Sequence, residues 1–131
     1  MTKSHRFFDL LDIEYRDAIL TIRVAELLEG EPDGYIGTPL VVKPSSEAFA
    51  ICFKDVTEFR SRAEPCYTPD GKQRDITPFL CECLDSDYVR QVCPFGGGAK
   101  EPARHFAVYT ESVVLEVLTS TEPQVSANHV A

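Results

Sequence analysis

The clearest pattern in the chain is an alternation of two. Leu20, Ile22 and Val24 alternate with Thr21, Arg23 and Ala25, and Phe49, Ile51 and Phe53 alternate with Ala50, Cys52 and Lys54. Successive strand residues point to opposite faces, so each run predicts a strand with one buried face. The β-branched and aromatic content agrees. The stretch 7–15 fits either period. Phe7, Leu11, Ile13 and Tyr15 make a strand face, whereas Phe7, Leu10, Leu11 and Glu14 have helical spacing. Its neighbour decides, because Arg16-Asp17 is a short polar turn leading into an alternating run. Residues 7–15 and 18–27 therefore predict a β-hairpin, although the turn lacks the Asn-Gly or Asp-Gly that such connections favour.

Downstream, Glu29 to Gly34 is a loop by composition, and 35–42 predicts a strand with Gly37 and Pro39 at a bulge or edge. Val56 and Phe59 are expected to continue the 49–53 strand past a bulge, because their spacing breaks the period. Four turn formers (Pro65, Pro69, Asp70-Gly71, Pro78) make 64–78 a long loop, and 79–84 a short apolar strand after it. Asp85 and Ser86 can cap a short helix through Val92, with Tyr88, Val89 and Val92 on one face. Pro94 stops it, and 94–104, with Gly96-Gly97-Gly98, is a flexible connection. Residues 105–110 read as a strand. Residues 112–119 carry both spacings, and their valine density favours a strand. Pro123 ends it, leaving 124–131 as a loose C-terminal tail.

The sum is a mainly β fold: about seven antiparallel strands, barrel- or sandwich-like, with one short helix, and α+β as the alternative. Leu20, Ile22, Val24, Phe49, Ile51, Phe53 and Val108 are the expected core. The length of 131 residues fits one domain, 1–131. No apolar run approaches the ~18 residues of a membrane-spanning helix.

Charge narrows the partners. The net charge is −8, and 13 bases face 21 acids with no basic stripe anywhere. The last base is Arg104; after it come only Glu111, Glu116 and Glu122. Counterion release on nucleic acid needs clustered Lys and Arg, so neither nucleic acid nor an anionic membrane is an expected partner. A protein partner or self-association, with a homodimer plausible on these grounds, is. Asp9 and Asp12 interrupt the N-terminal apolar stretch too soon for a signal peptide, so a cytoplasmic location is expected. The five cysteines, an odd number, are then expected as free thiols.

Candidate chemistry is sparse. Cys81 and Cys83 share one face of a strand, and with Cys93 and His105 they could in principle hold zinc. Their spacing differs from the common knuckles, and buried cysteine is common without metal. Among His5, His105 and His129, only His105 sits where a general base could act, with Cys81 or Cys83 as nucleophile and Asp85 or Glu111 as orienting acid. Gly96-Gly97-Gly98-Ala99-Lys100 lacks the phosphate-loop pattern, and Glu82, Asp85 and Asp87 lack the calcium-loop pattern. Of the five tyrosines, Tyr35 and Tyr67 fall in loops and are expected to be exposed. The sequence thus predicts a non-catalytic domain without a cofactor, acting through protein–protein contact or homo-oligomerisation. The rivals are a small-molecule-binding β-barrel or enzyme using His105, and a zinc-stabilised domain on Cys81, Cys83, Cys93 and His105.

Overall fold

The structure, a computed structural model, describes residues 6–32, 37–63, 72–93 and 102–130. His5, Tyr35, Cys66, Tyr67 and the Gly96-Gly97-Gly98 segment lie outside the described residues. Among the described residues the fold is mostly β, with antiparallel strands in two sheets, one short helix and no closed barrel. The strands are β1 (Phe8–Arg16), β2 (Ile19–Glu29), β3 (Leu40–Val42), β4 (Ala48–Phe53), β5 (Val56–Ala63), β6 (Gln73–Thr77), β7 (Leu80–Cys83), β8 (Arg104–Tyr109), β9 (Val113–Thr119) and β10 (Gln124–Asn128). The helix, α1, is Asp87–Val92. The first sheet runs β1-β2-β4-β10, with β3 on β2, and the second runs β5-β9-β8-β7-β6.

The predicted hairpin forms as β1 and β2, with Tyr15 opposite Leu20 and Ile13 opposite Ile22. Its turn is Asp17-Ala18, and both residues have positive φ (54° and 62°). That is the primed geometry whose twist matches the strands, made here without glycine. The alternating runs place Leu20, Ile22, Val24, Ile51 and Phe53 on one face, fully buried, against Phe106, Val108, Leu115 and Val117 from the second sheet. Phe49, expected in the core, is half-buried at its margin, stacked edge-on to Phe79 at 5.1 Å.

β1 lies across the second sheet. Its first residue, Phe8, packs on Phe79 in the turn before β7, and Tyr15, near its end, packs on Phe59 of β5 (ring centroids 4.8 and 5.2 Å apart). β1 thus contacts the second sheet both beside β7 and on β5, and the chain changes sheet at corners. Two such corners adjoin. β4 passes into β5 through Lys54-Asp55, where Asp55 has φ 52°, and β9 passes into β10 nearby. The Lys54 carbonyl accepts hydrogen bonds from the hydroxyls of Thr119 and Thr121, which ties the corners together.

The structure corrects several expectations. Val56 and Phe59 do not extend β4; they begin a strand of the other sheet, because the Lys54-Asp55 corner reverses the chain's allegiance. Of the predicted strand at 35–42, the described part, 37–42, is regular at Leu40–Val42, where it pairs with Leu27 to Glu29. The predicted loop 64–78 contains β6, paired with β7. The predicted tail 124–131 contains β10, paired with β4 from Asn128↔Ala48 to Gln124↔Cys52. Arg23 Nη2 then donates to the His129 carbonyl at 2.6 Å, so the segment after β10 is held as well. The ambiguous stretch 112–119 is strand β9.

Candidate functional site

The inner face of the second sheet builds the sandwich core, but its outer face is buried too. Pairing across β7, β8 and β9 sets Cys83, His105 and Leu118 in one row and Cys81, Ala107 and Glu116 in the next. On β5, Arg60 lies opposite Glu116 and extends that row. α1 covers this face. Ser86 is its N-cap, in extended backbone geometry, and the Ser86 hydroxyl accepts the Val89 N–H at 3.0 Å. Tyr88 points inward, edge-on to the His105 ring at 5.3 Å, with the Arg60 guanidinium 3.7 Å from its own ring centre. Burial pushes the Tyr88 phenol well above its ordinary value.

His105 is the centre of the arrangement. Its Nδ1 lies 2.7 Å from Ser86 Oγ, and its Nε2 lies 3.2 Å from Glu116 Oε1, off the line of an ideal hydrogen bond. All three residues are buried. The tautomer follows from the neighbours. A bare Nε2 lone pair would face a carboxylate, so Nε2 carries the proton and Nδ1 accepts from the Ser86 hydroxyl. Arg60 donates to the other Glu116 oxygen, and Arg62 stands 3.5 Å from it. Burial alone would raise the Glu116 pKa, but the contacts with His105 and Arg60 outweigh it and bring it down to about 2. The result is a serine, histidine, carboxylate and guanidinium in series.

One end of this series opens. A pocket of about 240 Å³ is lined by Ser86, His105, Cys83, Val89, Arg90 and Arg104, among others. On its wall, Arg104 Nε donates to Glu82 at 2.7 Å and Arg104 Nη2 to Glu122 at 2.6 Å; Arg74 bonds both acids. The Arg104 hydrogen bond is the main reason the Glu82 carboxyl lies below its ordinary value.

The sequence-derived candidates come together only in part, with Cys83, Asp85 and His105 lining one pocket. His105 keeps its place at a site, but with other partners. Asp85 binds Arg90 at 2.6 Å, and Glu111 lines a different pocket with Arg6 and Phe8. Cys83 shares the pocket wall with His105, while Cys81 hydrogen-bonds with Cys83, which lowers its thiol pKa, and contacts Tyr109 Oη at 3.5 Å. Among the described residues, Cys81, Cys83, Cys93 and His105 do not converge into a metal-binding set, and none of these cysteines is in a disulfide. Sequence reasoning missed Glu116 and Arg60. A signal existed, since Glu116 is the one charge within the apolar run 113–118 and a buried charge needs a partner.

A second feature lies at the opposite sheet. β10 is an edge strand whose five residues, Gln124, Val125, Ser126, Ala127 and Asn128, include no charge. Among the described residues, three of the other edge strands are charged: β1 carries Asp9, Asp12, Glu14 and Arg16, β5 carries Glu58, Arg60 and Arg62, and β6 carries Arg74 and Asp75, while the three-residue β3 (Leu40–Val42) is uncharged like β10 but shorter. β1 and β6 also contain bulges. Charges and bulges discourage edge-to-edge pairing, and β10 has neither. No family model, curated protein or solved structure matches this chain.

Proposed function

We propose that the protein works through protein–protein contact and that the contact is made by β10 pairing with β10 of a second copy. The observation that carries this reading is the uncharged, bulge-free β10 edge in a chain where 26% of residues are charged. Among the described residues nothing pairs with its outer side. An antiparallel pair about a two-fold axis at Ser126 would set Val125 against Ala127 and Gln124 against Asn128 of the other copy. Apolar meets apolar and amide meets amide, so the edge is self-complementary in the sense a two-fold interface requires. The first sheet would continue through both subunits, and the exposed Val125 would gain a cover.

Sedimentation velocity at about 100 μM, above the micromolar range of weak standard-size contacts, tests this. The wild-type chain is expected to sediment as a dimer. Ser126→Lys, which would oppose two lysines at the axis, is expected to sediment as a monomer with an unchanged circular dichroism spectrum. A wild-type monomer throughout, or a dimer indifferent to Ser126→Lys, would remove the reading.

A further inference from the structure

The buried series on the outer face of the second sheet is arranged for chemistry that the β10 edge does not explain. We infer that Ser86, His105 and Glu116 form a nucleophilic relay, with Ser86 as nucleophile, His105 as general base and Glu116 as positioning residue, acting on small carboxylic esters from the pocket beside Ser86. The roles follow from geometry. A weak hydroxyl nucleophile needs a base within hydrogen-bond reach, and the base needs a group that fixes its tautomer. Ser86 Oγ stands 2.7 Å from Nδ1, and Glu116 Oε1 stands 3.2 Å from Nε2. Because the Ser86 oxygen accepts the Val89 N–H, its own proton is directed to His105. Glu116 is held in turn by Arg60, so the carboxylate cannot swing away.

The pocket supplies the remaining parts. Its volume of about 240 Å³ corresponds to about eight waters, which suits a short acyl chain and not a polymer. Arg90 and Arg104 line the same pocket, each already ion-paired, Arg90 with Asp85 and Asp87 and Arg104 with Glu82 and Glu122, so what they offer a developing oxyanion is guanidinium N–H groups and not a free positive charge. In the first step, Ser86 Oγ bonds to the ester carbonyl carbon while its proton passes to Nδ1. The tetrahedral intermediate then expels the alcohol, which takes that proton. Water, deprotonated by the same nitrogen, attacks the acyl-serine, and the acid leaves as Ser86 regains its proton. No oxidant, metal or further reactant is required.

The test uses a fluorophosphonate on the full chain. Serine attack on phosphorus displaces fluoride, and the proton leaves as hydrogen fluoride. The expected result is one adduct per chain, mapped by peptide mass spectrometry to Ser86. Ser86→Asn keeps an N-capping side chain but has no nucleophile, so it should fold and take no adduct. Hydrolysis of 4-nitrophenyl acetate should fall about 10²-fold or more in Ser86→Asn. Glu116→Gln should slow labelling and displace its pH profile, which a purely structural role would not do. Folded wild-type chain that takes no adduct, an adduct on another residue, or equal hydrolysis by Ser86→Asn would each overturn the inference.

Discussion

Glu116 concentrates the energetics of the α1-covered face in one side chain. It is almost wholly buried, and its charge is balanced by Arg60 and by the Nε2–H of His105. Its folded pKa, down to about 2, lies below the ordinary 4.5. A depressed carboxylate adds stability that is fully present above its unfolded value and is lost as pH falls toward the folded one. At neutral pH the difference corresponds to about 3 kcal/mol. The loss should therefore fall between about pH 5 and pH 2. Urea titrations of wild type and Glu116→Gln should show the wild type more stable by about that amount at pH 7, with the gap closing below pH 4. A gap that stays constant with pH would mean that Glu116 contributes packing and not charge. The relay's place in the sequence was only half legible. His105 could be singled out because histidines are few, and Ser86 because it precedes a helical stretch. Their meeting depends on α1 folding onto β8, and that of Glu116 and Arg60 on the β5–β9 register. Residues 56 apart on an edge strand and a central strand carry no local sign of pairing.

Among the elements, the β1–β2 hairpin shows local chemistry falling short of what the geometry asks. Ala18 sits at φ 62°, where a Cβ crowds its own carbonyl and glycine does not. Ala18→Gly would create the Asp-Gly pair that primed turns favour. The glycine would also gain unfolded-state entropy, so the net gain is expected at about 0.5–1 kcal/mol. Thermal unfolding should shift up by a few degrees, about 2–6 °C for a chain of this size. A lowered midpoint would show that the turn carries no strain. Strands with one buried face, such as β2 and β4, were legible because the period of two survives. β6 was not, because Gln73 to Thr77 is an edge strand with little to bury and its turn formers lie on both sides. β10 was hidden for a related reason: its residues are small, polar and mostly exposed, so pairing and not hydrophobicity makes it a strand. The β4–β5 corner defeated the pattern differently. A positive φ at Asp55 turns the chain from one sheet to the other within two residues, and a bulge would leave nearly the same sequence trace.

Over the whole molecule, charge sets the conditions under which two copies could meet. Each chain carries −8, so two copies repel at a distance. The β10 strand itself brings no charge to the contact, and attraction there is confined to backbone hydrogen bonds and small apolar side chains. Salt then has one dominant electrostatic effect, which is to screen the repulsion. The Debye length shrinks from about 30 Å at 0.01 M to about 10 Å at 0.1 M and about 3 Å at 1 M. Dimerisation through β10 should therefore strengthen with salt, with a dissociation constant several-fold lower at 0.5 M sodium chloride than at about 0.02 M. Sedimentation equilibrium at the two concentrations measures this directly. A contact made through the charged faces would respond in the opposite sense. The Arg74–Glu82–Arg104–Glu122 cluster, for example, could exchange ion pairs between copies, and such pairs weaken as salt rises. An association that loosens in 0.5 M salt would thus transfer the interface from the uncharged edge of the first sheet to the ion-paired rim of the second. The sign of the salt dependence separates these two surfaces before any substitution is made.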